Sequence, residues 1–178
     1  MNFWTSFLGY QAVWFAAVIG AAHGLSWPGV LGWVIFAGCQ LAFAPRPGCS
    51  VLLMLCAVVM GCLVDGTLIH AGLAIYAAPW PGMPFPPLWI LVLWASFSLT
   101  FTGALVYLQS RPWLAAVFGA IGGPLAYLGA SRGWHVVAFS SPAWRATAVL
   151  AVGWAVATPL LAMLAHPGKK DATEGINA

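Results

Sequence analysis

The sequence predicts an all-α polytopic membrane protein, a bundle of six transmembrane helices. Three observations predict it. First, the chain is 62% hydrophobic and 5% charged, whereas soluble domains carry about 25% charged residues. Six basic and three acidic side chains cannot coat a water-facing shell, and the mean hydropathy is +0.94. Second, six apolar runs approach the roughly 20 residues that a membrane crossing needs. Third, these runs lack the apolar–polar alternation of a membrane barrel, so helices must satisfy the backbone inside lipid.

The first run covers 3–22. It lacks the basic leader of a cleaved signal peptide and is expected to be a retained helix. The second, 28–44, is closed by Pro45-Arg46-Pro47-Gly48, because proline cannot continue a helix. The third, 49–75, carries Asp65 and is followed by a loop rich in proline and aromatics, 77–86. The fourth, 87–109, opens on Pro87, where a missing N–H costs nothing. Ser110-Arg111-Pro112 turns the chain into the fifth, 113–131. The sixth, 141–165, has Ser141 as N-cap and Pro142 in its first turn. Residues 1–166 thus read as a single transmembrane domain, and 167–178 as a disordered polar tail.

Six crossings place both termini on one side of the membrane. Arg46, Arg111, Lys169 and Lys170 would share that side, with Arg132 and Arg145 opposite. The positive-inside bias then puts both termini in the cytoplasm of a multi-pass inner-membrane protein. The basic residues are scattered singly, which excludes a nucleic-acid footprint. Several of the 11 Trp fall near run ends, as in aromatic belts.

Asp65 is the only acid among the first 170 residues. A carboxylate at membrane depth is paired, protonated or functional. At 1.5 Å per residue it lies about 24 Å along its run, toward the outer face. His23, His70, Arg132 and Arg145 fall toward that same face. The expectation is a polar pocket in which Arg132 or Arg145 pairs with Asp65; a structural ion pair that fixes helix packing is the competing reading. Asp65 and His70 are about 140° apart around a helix, so they do not form an acid–base dyad.

Gln11 and Trp14 share a helix face beside Tyr10. Gln11 lies near mid-membrane, where an amide must bond to another helix or to a ligand, and Gln40 reads the same way. In the fifth run Gly119, Gly122, Gly123, Ala126 and Gly129 step at three and four residues. Such a smooth stripe lets helices approach closely, within the chain or in a homodimer. Pro124 in this run, and Pro159 in the sixth, predict kinks. Cys39, Cys49, Cys56 and Cys62 contain no pair with a two-residue gap, so they read as small buried hydrophobes, with no metal site. No phosphate loop, paired intramembrane aspartates, zinc helix or nucleophile elbow is present, and no cofactor is implied.

These residues carry a resemblance. Asn2, Gln11 and Trp14, then Asp65, Pro87-Leu88-Trp89 with Trp94, and above all the Gly119–Gly129 stretch GAIGGPLAYLG resemble the bacterial inner-membrane family catalogued as domain of unknown function 2878. The resemblance covers most of the chain and marks Gln11, Trp14, Asp65, Pro124 and Tyr127. Members are encoded beside fatty-acid modification enzymes, which implies envelope lipid modification with membrane lipids as partners. It assigns no catalytic residue. On this reading Asp65, Gln11 and Trp14 act on a lipid whose anionic head group Arg132 binds. Two alternatives stand beside it: a small proton-coupled transporter with Asp65 as coupling acid, and a non-catalytic scaffold that docks a membrane partner through the glycine stripe.

Overall fold

A computed structural model describes residues 3–166; Asn2 and the polar tail, 167–178, lie outside the described residues. Among these, six α-helices and a two-stranded ribbon follow in the order α1 (Phe3–Ala22), α2 (Trp27–Ala42), α3 (Pro47–His70), β1 (Ala74–Tyr76), α4 (Leu88–Leu99), α5 (Pro112–Trp134), β2 (Val137–Phe139) and α6 (Trp144–Ala165). Helices α1, α3, α5 and α6 are long and apolar enough to cross a membrane. α2 and α4 are also apolar but have only 16 and 12 residues.

α1 and α2 run antiparallel, with Gly20 beside Pro28 and Gly9 beside Phe36, and so do α5 and α6, with Gly119 beside Thr158 and Gly123 beside Trp154. At one end, β1 pairs antiparallel with β2, Ala74 opposite Phe139, and Leu88 N–H donates to Trp80 O. This ribbon end gathers the chain between α3 and α4 with that between α5 and α6. The other end holds the start of α1, where Ser6 lies against Gly103.

The shortest helix lies at the centre. Nine of the 12 residues of α4 are buried, against α1, α2 and α3. A helix that is apolar all round belongs inside a bundle. It is also shorter than the continuous 87–109 run suggested. Ser96, Ser98, Thr100 and Thr102 each donate a side-chain hydroxyl to a carbonyl three or four residues back. Such bonds compete with the helical ladder. The helix passes into a 3-10 turn at Thr100–Thr102, Gly103 leaves helical geometry (φ −141°, ψ −92°), and a second 3-10 turn follows at Val106–Leu108.

α3 likewise ends before the expected 75. Gly72 has φ +64°, a left-handed conformation that glycine adopts freely, and it turns the chain into β1. Ser141 and Pro142 do not cap α6 as expected: Ala143 is the N-cap, without a side-chain bond. The helical assignments of α5 and α6 run unbroken through Pro124 and Pro159.

The glycine stripe divides by face. A Cβ at Gly119 would overlap Thr158 and the Trp154 carbonyl, and one at Gly123 the Trp154 ring. These two glycines let α6 lie against α5. Gly122 has only Phe118 of its own helix within 4 Å, and Gly129 has nothing there. The cysteines are less enclosed than expected: Cys39 and Cys49 are exposed, Cys56 and Cys62 half-buried, because their faces point outward from the bundle.

Candidate functional site

The register of α3 turns Asp65 inward, where it is fully buried (0% exposed). Three neutral donors hold it. The hydroxyls of Tyr76 and Tyr127 each donate to Oδ1 at 2.7 Å, and Trp94 Nε1–H donates to Oδ2 at 2.8 Å. A different element supplies each: β1, α5 and α4. The expected arginine is not there. Arg132 and Arg145 are exposed, the latter over the Trp144 ring at 5.9 Å. The reason is geometric, since both lie at outward-facing helix ends while the carboxylate points into the core. His70 is exposed as well.

Each donor is itself positioned. Trp89 Nε1–H donates to Ala77 O at 2.9 Å, and its ring meets the Tyr76 ring edge-on at 6.3 Å. These contacts dock the ribbon onto α4. Trp94 stacks on Trp154 with centroids 4.1 Å apart, and Gly61 of α3 leaves room for its indole. Burial, and then the adjacent carboxylate, push the Tyr76 phenol well above its ordinary pKa. It therefore remains an O–H donor.

Tyr127 and Trp94 have a second role. With Tyr10, Trp14, Trp89 and Trp154 they wall a narrow slot of about 30 Å³, room for about one water or a small apolar group. The half-buried Tyr10, Trp14, Leu93 and Ala126 mark its mouth between α1 and α5. Trp14 also meets Trp134 edge-on at 5.5 Å. The slot therefore ends on two side chains whose polar atoms touch Asp65.

This cluster can hold a proton without moving a heavy atom. A phenol oxygen both donates and accepts, a carboxylate only accepts, and an indole N–H only donates. Rotation of one tyrosine hydroxyl would let either form of Asp65 keep its partners.

Of the residues singled out in the sequence, Asp65 and Tyr127 are bonded to each other, and Trp14 and Ala126 line the slot beside Tyr127. Gln11 is half-buried and makes no hydrogen bond to another described residue. Gln40 bonds across helices, its Nε2 donating to Ser6 Oγ at 3.4 Å. Sequence reasoning missed Tyr76 and Trp154 and gave Trp94 no role at the acid. The described residues contain no cluster of metal-ligating side chains.

A family model described as protein of unknown function (DUF2878) matches residues 3–160. Neither the comparison with curated proteins nor that with solved structures found a match.

Proposed function

The chain belongs to this family of unknown function, and we propose that it is a multi-pass inner-membrane protein acting in the modification of envelope lipids. On this reading all six helices cross the membrane and both termini face the cytoplasm. The short α4 is sheltered by its neighbours, while α2 keeps an exposed apolar face. The end of a lipid acyl chain reaches the mouth between α1 and α5, and the slot of about 30 Å³ has room for its terminal methyl or for one water. A water or small hydroxyl group at the inner end of the slot gives a proton to the Tyr127 oxygen as Tyr127 passes its own to Asp65 along their hydrogen bond, and the reverse transfer returns it.

One observation carries the reading: Tyr127 is both a wall of the slot and a hydrogen-bond donor to the buried acid. A purely structural acid would need no such access. Buried ionisable groups in membrane helices mark functional sites by default. The test is the lipid profile of a deletion strain, complemented with the wild-type gene or with Asp65→Asn. The expected result is an altered profile that only the wild type restores. Identical profiles in the deletion and wild-type strains under several growth conditions would overturn the proposal.

A second reading, a proton-coupled carrier, draws on the chain of groups Tyr76–Asp65–Tyr127, which links the ribbon end to the slot. Substrate flux in reconstituted vesicles that survives Asp65→Asn would remove it. Docking of a partner along the α5 stripe is less favoured, because α6 already occupies Gly119 and Gly123.

A further inference from the structure

The end of the bundle opposite the ribbon holds a larger cavity that the slot chemistry leaves unused. α4 is only about 18 Å long by its 1.5 Å rise per residue, and α3 and α6, with 24 and 22 residues, extend past it. The space beyond α4 is a vestibule of about 370 Å³, between the ends of α2, α3 and α6 and the 3-10 segment. Ser50, Arg46, Gln40 and Gln109 are among the side chains that face it.

Two features point to an anion. α3 begins here, with Arg46 as its N-cap, no side-chain cap bond, and Pro47 in the first turn. Its first N–H groups lack intrahelical partners and form the positive pole of a long helix. Independently, Ser50 is 5% exposed, lines the vestibule, and has no hydrogen-bond partner among the described residues. Its hydroxyl, with no protein partner there, is placed to donate to a ligand in the vestibule.

The two amides add a second requirement. Gln40 Nε2 donates to Ser6 Oγ at 3.4 Å, and Gln109 Nε2 donates to Phe101 O at 2.8 Å. Each side chain keeps its Oε1 as an acceptor, and both residues line the vestibule. Acceptors call for hydroxyl donors. We propose that the vestibule binds a phosphate ester carrying free hydroxyls, the chemistry of a phosphoglycerol lipid head group or of its soluble counterpart. Arg46, the α3 N-terminus and Ser50 take the phosphate, and Gln40 and Gln109 accept from the hydroxyls. This site stands independently of the slot and of any lipid chemistry there.

Native mass spectrometry of the full chain in detergent tests it. The probes are dioleoyl phosphatidylglycerol, dioleoylglycerol, which has the same chains without phosphate, and glycerol 3-phosphate. The expected result is a retained phosphatidylglycerol adduct, weakened at least tenfold in Arg46→Gln and in Ser50→Leu. Dioleoylglycerol should bind weakly and equally to all three proteins. Competition by glycerol 3-phosphate would support the site with a soluble ligand as its source; no competition, with the variant effects intact, would support the lipid. Phosphatidylglycerol adducts equal in the wild type and both variants would overturn the proposal, and so would equal binding of the two lipids. Arg46 is exposed, so its variant keeps the test decisive if Ser50→Leu does not fold.

Discussion

Removing the phenols one at a time tests the account of Asp65. Tyr127→Phe and Tyr76→Phe each delete one donor to the same carboxylate oxygen, both at 2.7 Å. The rings are 7% and 5% exposed, so bulk water cannot replace a lost hydroxyl. Hydrogen bonds to charged groups contribute about 1.5–3 kcal/mol. Bonds between membrane helices average about 0.6 and reach about 1.7 kcal/mol. The Asp65 bonds are short and enclosed, and among the described residues no cation shares the load, so each single variant should lie near the top of the membrane range, about 1.5 kcal/mol. In either single variant the remaining phenol still serves Oδ1. The double variant leaves that oxygen bare, so its loss should exceed the sum of the singles by at least about 0.5 kcal/mol. Equilibrium unfolding in mixed micelles, followed by tryptophan emission, measures all three. Tyr10→Phe is the control, since the Tyr10 hydroxyl has no hydrogen-bond partner among the described residues and should change stability by less than about 0.5 kcal/mol. Single variants within 0.5 kcal/mol of wild type (about the spread of neutral substitutions), with an additive double, would refute the idea that phenols hold the carboxylate.

Further outcomes follow from the packing and the site. Gly61→Ala places a methyl about 2.5 Å from Trp94 Cδ1, and the stack on Trp154 prevents the indole from yielding. The cost should be about 1–3 kcal/mol, read in the same unfolding assay. Asp65→Asn keeps the shape but has only one acceptor oxygen for three donors, so at least one buried donor loses its partner at about 1–3 kcal/mol. Its thermal midpoint in detergent should fall accordingly. Ala126→Leu should fill the slot mouth and abolish complementation of the lipid profile at unchanged protein abundance. Cys49 is exposed at the end opposite the ribbon; the proposed topology predicts that a membrane-impermeant maleimide labels it in inverted vesicles and not in intact cells, as mass spectrometry of the labelled peptide would report.

The sequence displayed the anomaly but not its solution. Asp65 stood out as a lone acid in an apolar run, and Tyr127 lay in the stretch that carries the family resemblance. The expected partner was wrong because a buried carboxylate was assumed to need a cation, whereas three neutral donors with fixed geometry satisfy it. Those donors were hard to see. Tyr76 sits on a strand of three residues, too short for any periodicity to reveal, and Trp94 is one of 11 tryptophans. Helix positions were legible from apolar runs, and the first run matched α1 from end to end. The length of α4 was not, because hydropathy continues past Leu99. The available signal was the alternation of Ser96, Ser98, Thr100 and Thr102 before Gly103, a pattern of backbone-competing hydroxyls.

Occupancy of the slot by lipid is best measured by photo-crosslinking in cells fed a fatty acid that carries a diazirine near its chain end, with adducts mapped by peptide mass spectrometry. The account predicts adducts on Trp14, Leu93 or Ala126 that disappear in Ala126→Leu while outward-facing positions such as Leu55 and Val152 remain labelled. Adducts confined to those outward positions, unchanged by the substitution, would contradict it.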